Sequence, residues 1–163
     1  MTRPTPRRRQ PRIRLRPMRE TDLAQVVEIE RDSFPSPWPR RHFEHELSLP
    51  HSRSVVACDP EEPGKVLGYV LRWLVEGEVE LLNVAVARDA RRTGLGRLLV
   101  ESVLKEARRA RARVVSLEVS VHNRAARALY RSLGFIAVRE RKNYYSRGDH
   151  AVIMEWTPGG RSF

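Results

Sequence analysis

Cysteine, lysine and long apolar segments are all scarce in this sequence of 163 residues. Its single cysteine, Cys58, excludes an internal disulfide and a metal site built from cysteines, which favours a reducing, cytoplasmic location. No segment approaches the roughly 18 consecutive apolar residues of a membrane-spanning helix, so no span is expected. No apolar segment follows the arginine pairs near the start, so a signal peptide is not expected either.

The positive charge is distributed unevenly, and almost all of it is arginine. Only three of the 31 basic residues are lysine, and the formal net charge is +11. Residues 1–19 hold eight arginines and no acidic residue, so the rest of the chain carries only a small basic excess. We therefore predict a basic, disordered arm over residues 1–12. Such an arm can contact RNA, ribosomes or anionic membranes, and the alternative is a solvated extension without a partner.

Hydrophobic patterning divides the remaining chain into strands and helices. The predicted order is a strand, two helices, three strands, a helix, a strand, a helix and two strands. This order predicts a mixed α/β domain with helices on both faces of the sheet, over residues 13–157, followed by a tail at residues 158–163. Thr21 is the expected N-cap of the first helix, TDLAQVVEIERDSF.

Two glycines, Gly94 and Gly96, stand at the start of a segment with helical periodicity, RRTGLGRLLVESVLKEA. A helix start exposes unpaired backbone N–H groups, and glycine lets a bulky anion approach them closely. Three arginines surround them: Arg91, Arg92 and Arg97. The segment therefore predicts a pyrophosphate site, and the alternative is a turn that only joins a strand to a helix. Neither the spacing of a P-loop nor the third glycine of a Rossmann motif is present, which disfavours ATP and NAD.

The segment NVAVARDARRTGLGRLL resembles the acyl-CoA loop of the GNAT N-acetyltransferase superfamily. The pattern of that loop is Gln/Arg-x-x-Gly-x-Gly/Ala, and Arg91, Gly94 and Gly96 fill it. LEVSVHNRAARALYRSLGF resembles the strand and helix that follow, and RKNYY and DHAVIMEW resemble the closing strands. FPSPWPRRHFEHEL is similar to a segment of the RimI-type group, bacterial enzymes that acetylate the N-terminal alanine of a small-subunit ribosomal protein, with extra residues around Ser36. The resemblance spans about residues 13–157.

The resemblance implies a fold, a co-substrate and a set of contacts. The implied fold is a largely antiparallel sheet with helices on both faces and a splayed central strand pair. The implied co-substrate is acetyl-CoA, with no metal: one strand pairs with its pantetheine arm, backbone N–H groups of the glycine loop hold its pyrophosphate, and Asn123 contacts it further on. The implied residues are Val84, Ala85, Val86, Arg92, Thr93, Gly94, Leu95, Gly96, Arg97 and Asn123.

The resemblance gives Glu118 the role of general base and Tyr130 that of general acid. Acetyl transfer to an amine needs both, because an α-amino group with a pKa of about 8 is mostly charged at neutral pH and the leaving thiolate benefits from a proton. A carboxylate within a central strand, as in VVSLEVSV, is costly unless it lines a wet cleft or is paired. The alternative for Glu118 is an ion pair with an arginine of a nearby helix, and the alternative for Tyr130 is core packing.

The acceptor site is predicted from aromatic residues. Tyr144 and Tyr145, expected in the loop before the last strand, resemble the paired aromatics with which the family holds a peptide N-terminus. Phe34 and Trp38, between the first two helices, are expected to form the opposite wall. The alternative for all four is ordinary packing. His42 and His45 share a helix face without an evident third ligand, so no metal site is proposed.

Three functions follow from these patterns. The first is acetylation of a protein N-terminal α-amine, in the first place the alanine of a ribosomal protein, by direct attack in a ternary complex. The second is a GNAT enzyme for a small amine, which would need an acidic cleft. The third is a non-catalytic ribosome- or RNA-binding protein with a degenerate core, which the intact loop disfavours. The expected state is a cytoplasmic monomer or weak dimer.

Overall fold

The computed structural model describes residues 12–160. The predicted arm lies outside these residues except for Arg12, as do the last three residues of the predicted tail. Within them, the order of strands and helices is the predicted one. The elements are β1 Arg14–Pro17, α1 Leu23–Ser33, α2 Arg40–Ser48, β2 Ser52–Cys58, β3 Val66–Val75, β4 Glu78–Val86, α3 Leu95–Arg109, β5 Val114–Ser120, α4 Arg124–Ser132, β6 Ile136–Ser146 and β7 Asp149–Trp156.

The seven strands form one sheet in the order β1-β2-β3-β4-β5-β7-β6. All neighbouring strands run antiparallel except β4 and β5, which are parallel and are connected through α3. Parallel neighbours need such a crossover connection, whereas β3 and β4 are joined by a tight turn at Glu76 and Gly77, both with positive φ. The mixed, largely antiparallel sheet is therefore confirmed.

Two apolar cores cover the two faces of the sheet. On one face, α1 and α2 pack through Leu23 and Phe43 against Tyr69 of β3, all three fully buried. On the other face, α3 packs through Leu99 against the central strands, with Leu117 of β5 among the buried residues. The alternation of apolar residues in β5 places one face of that strand in this core. Helices on both faces are thus confirmed.

The first helix begins differently from the prediction. Asp22, only 3% exposed, precedes α1, and its carboxylate accepts a hydrogen bond from the Arg19 backbone N–H at 2.8 Å. The Arg16 guanidinium donates two more, at 2.7 and 2.8 Å, and thereby lowers the pKa of Asp22. Thr21 is exposed and caps nothing, so its predicted role was wrong. Asp22 stands at the N-cap position instead, and its buried carboxylate ties the helix entry to β1 without accepting a hydrogen bond from the first turn of α1.

The central strand pair is splayed. β4 and β5 pair only from Glu78 with Val114 to Leu81 with Leu117. At Leu82, β4 has one residue more than β3 opposite it, which is a β-bulge, and β5 continues alongside β7 instead. The edge of β4 that faces β5 is therefore open beyond Leu81. Over residues 12–160, no helix is long and apolar enough to cross a bilayer.

Candidate active site

A cleft of about 540 Å³ opens where β4 and β5 separate. It is lined by both strands, by the connection between α1 and α2, by the start of α3, by α4 and by β6. The predicted site residues that the structure brings together here are Phe34, Trp38, Val84, Ala85, Val86, Gly96, Glu118, Asn123, Tyr130 and Tyr145. The chain thus collects residues from six separate segments around the end of one open strand.

The rest of the predicted glycine loop lies beside the cleft, not among its lining residues. Arg92, Thr93 and Gly94 are exposed, and Gly94 is the N-cap of α3 with a φ of +84°, a conformation that glycine adopts without strain. Leu95 is buried in the core, so only its backbone can serve a ligand. Arg97 is exposed, and its guanidinium donates to Glu101 at 3.1 Å and to Ser132 at 2.9 Å. The loop presents backbone groups at the surface, next to the end of the cleft.

Arg91, the first residue of the loop pattern, makes a contact that the sequence does not predict. Its Nε donates to the carbonyl oxygen of Val86 at 3.0 Å, and its Nη2 donates to the Ser33 hydroxyl at 3.1 Å. The side chain therefore joins the end of β4 to the end of α1. Arg91 therefore stabilises the cleft wall through these two hydrogen bonds, and it also adds positive charge to the loop.

Glu118 lies in the middle of β5 and faces the cleft, with 25% of its side chain exposed. Its Oε1 lies 3.1 Å from Nη1 of Arg141 on β6. The alternative prediction of an arginine partner is therefore confirmed, but the arginine comes from a strand and not from a helix. Only β7 lies between β5 and β6 in the sheet, and the long side chain of Arg141 spans it. Glu118 is both paired and cleft-lining.

Tyr130 is 6% exposed and lies on α4, where it contacts the cleft and packs near Phe135 with ring centroids 5.7 Å apart. The alternative of core packing is thus confirmed, and the same residue also lines the cleft. Burial raises the pKa of Tyr130 above its ordinary value, and the nearby Tyr145 adds to the rise. The phenol therefore keeps its proton at neutral pH and is available as a hydrogen-bond and proton donor.

The paired tyrosines stand on strand β6, as the resemblance of RKNYY to a closing strand implied, and not in the loop that was expected before the last strand. β6 loses its register with β7 between Arg141 and Ser146, and Asn143 has a φ of +52°. The Asn143 backbone N–H donates to Nδ1 of His150 at 2.8 Å, which fixes this bulge against β7. The bulge, rather than a loop, projects Tyr144 and Tyr145 from the sheet.

The two tyrosines occupy different environments. Their rings stand nearly perpendicular with centroids 5.0 Å apart, and each is about half exposed. Tyr145 lines the cleft, and burial raises its pKa to about 12. Tyr144 does not line the cleft, and its pKa is raised chiefly by a hydrogen bond with the Glu118 carboxylate. Tyr144 therefore lies beside Glu118 but outside the cleft, whereas Tyr145 forms part of the cleft wall.

Phe34 and Trp38 form the opposite wall, in the connection between α1 and α2, and both are partly buried against the core under α1. Glu30 of α1 also lines the cleft, although it is 1% exposed, and sequence reasoning missed it. A signal was present, because Glu30 follows Val26 at the helical spacing of four residues and so falls on the buried stripe. A carboxylate on such a stripe needs partners.

Residues 23–135 match the model of the acetyltransferase (GNAT) family. The chain belongs to this family. It is 34% identical over 137 residues to ribosomal protein bS18-alanine N-acetyltransferase of Escherichia coli, covering 82% of this chain and 90% of the relative. It is 31% identical over 154 residues to an N-alpha-acetyltransferase of Sulfurisphaera tokodaii, covering 86% and 90%. The crystal structure of the E. coli ribosomal-protein-S18-alanine N-acetyltransferase superposes with a TM-score of 0.82 at 29% identity, covering 93% and 97%.

These comparisons confirm the predicted family, fold class and acetyltransferase class. The residues of this GNAT protein also fit an acyl-CoA. The edge of β4 at Val84–Val86 has no strand partner on the side away from β3, where the Val86 carbonyl oxygen accepts from the Arg91 side chain. A side chain at Gly96 would contact Val86 at 3.8 Å and Leu129 at 3.7 Å, so the absence of one keeps the space between them open. Over residues 12–160, no three His, Cys, Asp or Glu side chains are grouped to hold a metal ion.

Valine at Gly94 or Gly96 should weaken acetyl-CoA binding by about 2 kcal/mol or more, the loss of about two hydrogen bonds to a charged group. Valine at 96 would fill the gap beside Val86, and valine at 94 would strain a backbone with φ +84°. Calorimetric titration measures the affinity, and a 2 kcal/mol loss is about 30-fold in Kd. Gly64→Val is the matched control, because that glycine has open space and lies in the turn before β3, outside the lining of the cleft. Folded variants with unchanged affinity would contradict the prediction.

Proposed function

We propose that this acetyltransferase transfers the acetyl group of acetyl-CoA to the α-amine of a protein N-terminus, in the first place the N-terminal alanine of a ribosomal protein. The observation that carries the proposal is the cleft itself. It joins an open strand edge, which suits a pantetheine arm, to Glu118 and Tyr130 and to aromatic walls on both sides. The named activities of the relatives support the same reaction and acceptor class.

On the donor side, backbone groups of Val84–Val86 pair with the pantetheine arm in this proposal, and the N–H groups of residues 92–97 hold the pyrophosphate. The loop arginines and the start of α3 add positive potential there. Asn123 caps α4, with its side-chain oxygen accepting from the Ala126 N–H at 3.2 Å. We assign its amide nitrogen to the cofactor, since the oxygen is already engaged.

On the acceptor side, Glu118 takes the proton that the ammonium must lose. The free amine nitrogen then bonds to the acetyl carbonyl carbon in a ternary complex, and the carbon–sulfur bond breaks. Tyr130 gives its proton to the leaving thiolate. The nitrogen loses its second proton as the amide forms, and that proton restores the phenol through solvent. The bound Arg141 keeps the Glu118 carboxylate at the cleft mouth by its 3.1 Å contact. One amide forms, one thioester is consumed, and one proton is released overall.

The remaining parts of the proposal concern the whole chain. The catalytic domain is residues 13–157, with the basic arm at 1–12 and the tail at 158–163. The enzyme acts in the cytoplasm as a monomer or weak dimer, and its arm contacts RNA or the ribosome. The arginine content of the arm supports that contact, which concerns residues outside 12–160.

Mass spectrometry tests the acceptor class directly. The full chain is incubated with acetyl-CoA and a decapeptide that begins with alanine and contains one lysine, and we expect one acetyl group on the α-amine. The matched control is the same peptide with a blocked N-terminus, which should stay unmodified. Acetylation of the blocked peptide, or of spermidine alone, would make the enzyme a side-chain or small-amine acetyltransferase. Absence of any product would favour the non-catalytic ribosome- or RNA-binding function.

A further inference from the structure

Glu30 is the most deeply buried charged residue that lines the cleft, with 1% of its surface exposed. A buried carboxylate is costly, and its cost must be offset by hydrogen bonds or an ion pair. Over residues 12–160, Glu30 takes part in no salt bridge. Its charge is instead held by three neutral donors, so these donors account for its presence in the cleft wall.

The three donors come from three different elements. The backbone N–H of Trp38 donates to Oε1 at 2.9 Å. The side-chain amide of Asn83 donates to Oε2 at 2.8 Å, and the hydroxyl of Tyr69 donates to the same oxygen. Burial and the Glu30 charge together raise the pKa of Tyr69, so its hydroxyl remains a donor. The carboxylate therefore ties α1 to the α1–α2 connection, to β3 and to β4 at once.

Two of these elements determine the width of the acceptor side. Trp38 belongs to the aromatic wall, and Asn83 lies between the bulge at Leu82 and Val84, the first residue of the open strand edge. A hydrogen-bonded bridge between the wall and the strand fixes the distance between an acceptor amine and the donor strand.

We propose that Glu30 is a positioning residue that sets the acceptor wall against the splayed strand and thereby determines the affinity for the acceptor peptide. This inference rests on the proposed peptide acceptor. A role as the proton-accepting base is disfavoured by its contacts, because both carboxylate oxygens already accept hydrogen bonds from the protein. Glu118 has the more exposed carboxylate of the two cleft residues.

The donor side should be independent of Glu30. Val84 pairs with Val70 and Ala85 pairs with Tyr69 on β3, and these backbone contacts hold the strand without the carboxylate. Loss of the bridge therefore moves the wall relative to the strand and leaves the strand in place. The expected signature is a changed KM for the peptide with an unchanged affinity for acetyl-CoA.

Three variants test the proposal with steady-state kinetics on the alanine peptide. In Glu30→Gln, an amide N–H₂ replaces one oxygen and faces a donor, so peptide KM should rise about tenfold, the loss of one hydrogen bond to a charged group. We expect kcat and acetyl-CoA affinity to stay within about threefold. In the double variant Glu30→Gln with Asn83→Asp, the charge moves to β4 and the amide regains an acceptor. Peptide KM should then return toward the wild-type value, which mere destabilisation would not produce.

Tyr69→Phe is the milder variant, since it removes one donor and keeps the ring. It should also raise the peptide KM, and it tests the proposal if Glu30→Gln fails to fold. Unchanged peptide KM in folded variants, or no recovery in the double variant, would overturn the positioning role. A kcat loss of about 100-fold with an altered pH profile would instead make Glu30 a catalytic residue. If the wild-type enzyme acetylates no peptide, the proposed function is wrong and this proposal falls with it.

Discussion

Replacing Glu118 with glutamine should lower kcat at neutral pH by about 100-fold or more, the usual effect of one acid–base group. Glutamine keeps the shape of the side chain and removes the proton acceptor. The defect should shrink as the pH rises toward and beyond about 8, because the acceptor α-amine then loses its proton to solvent. The pH–rate profiles of both proteins on an alanine-starting peptide measure this difference.

Glu80→Gln is the matched control for Glu118. Glu80 lies on the neighbouring strand, and its pKa is raised by burial and by the Glu118 charge, but its side chain does not line the cleft. The control removes a neighbouring carboxylate and leaves the lining of the cleft intact, so it should keep the wild-type rate within about threefold. If Glu118→Gln keeps the neutral-pH rate, the base lies elsewhere, and Glu118 serves only as the ion-pair partner of Arg141.

Replacing Tyr130 with phenylalanine should lower kcat by about 100-fold or more with little change in acetyl-CoA affinity. The phenyl ring keeps its packing near Phe135, so the thermal midpoint should change little. The phenol proton is needed only as the thiolate leaves. Because burial places the pKa of Tyr130 above its ordinary value of about 10, the phenol keeps its proton below that pH. A fall in the wild-type rate between pH 8 and about 10 would therefore not come from Tyr130.

The leaving group offers an independent check on Tyr130. The thiolate of a more acidic thiol leaves without being protonated. With an acetyl thioester of such a thiol as the donor, the defect of Tyr130→Phe should therefore become smaller. A defect of the same size with both donors would indicate that the hydroxyl acts before the carbon–sulfur bond breaks. A variant with the wild-type rate on acetyl-CoA would leave Tyr130 as a core residue only.

Local patterns carried most of the fold prediction. The alternation in β5 correctly separated the face that bears Glu118 from the apolar face in the core, because strand geometry gives successive side chains opposite directions. The glycine loop was located by its own residues, since a helix start with positive φ needs glycine. These features depend on neighbours in sequence, and the sequence therefore reveals them.

The features that depend on strand pairing could not be predicted. The ion pair of Arg141 with Glu118 depends on the strand order β5-β7-β6, in which β6 lies two strands from β5. No local pattern in the sequence specifies that order. The bulge that projects Tyr144 and Tyr145 was not predicted, because it depends on a hydrogen bond to His150 of the next strand. Glu30 was overlooked for a similar reason, since its donors lie on three other elements.

In the proposed reaction, the two substrates are bound by different parts of the chain. One continuous stretch, residues 84–130, supplies the open strand edge, the glycine loop and both proposed acid–base groups, whereas the acceptor walls come from residues 34–38 before it and 144–145 after it. The first outer segment is a surface connection, which tolerates insertions and exchanges better than a core crossover does, and the second lies on a strand at the edge of the sheet. Exchange of these two short segments should therefore change the acceptor preference and leave intact the continuous stretch that is proposed to handle the thioester.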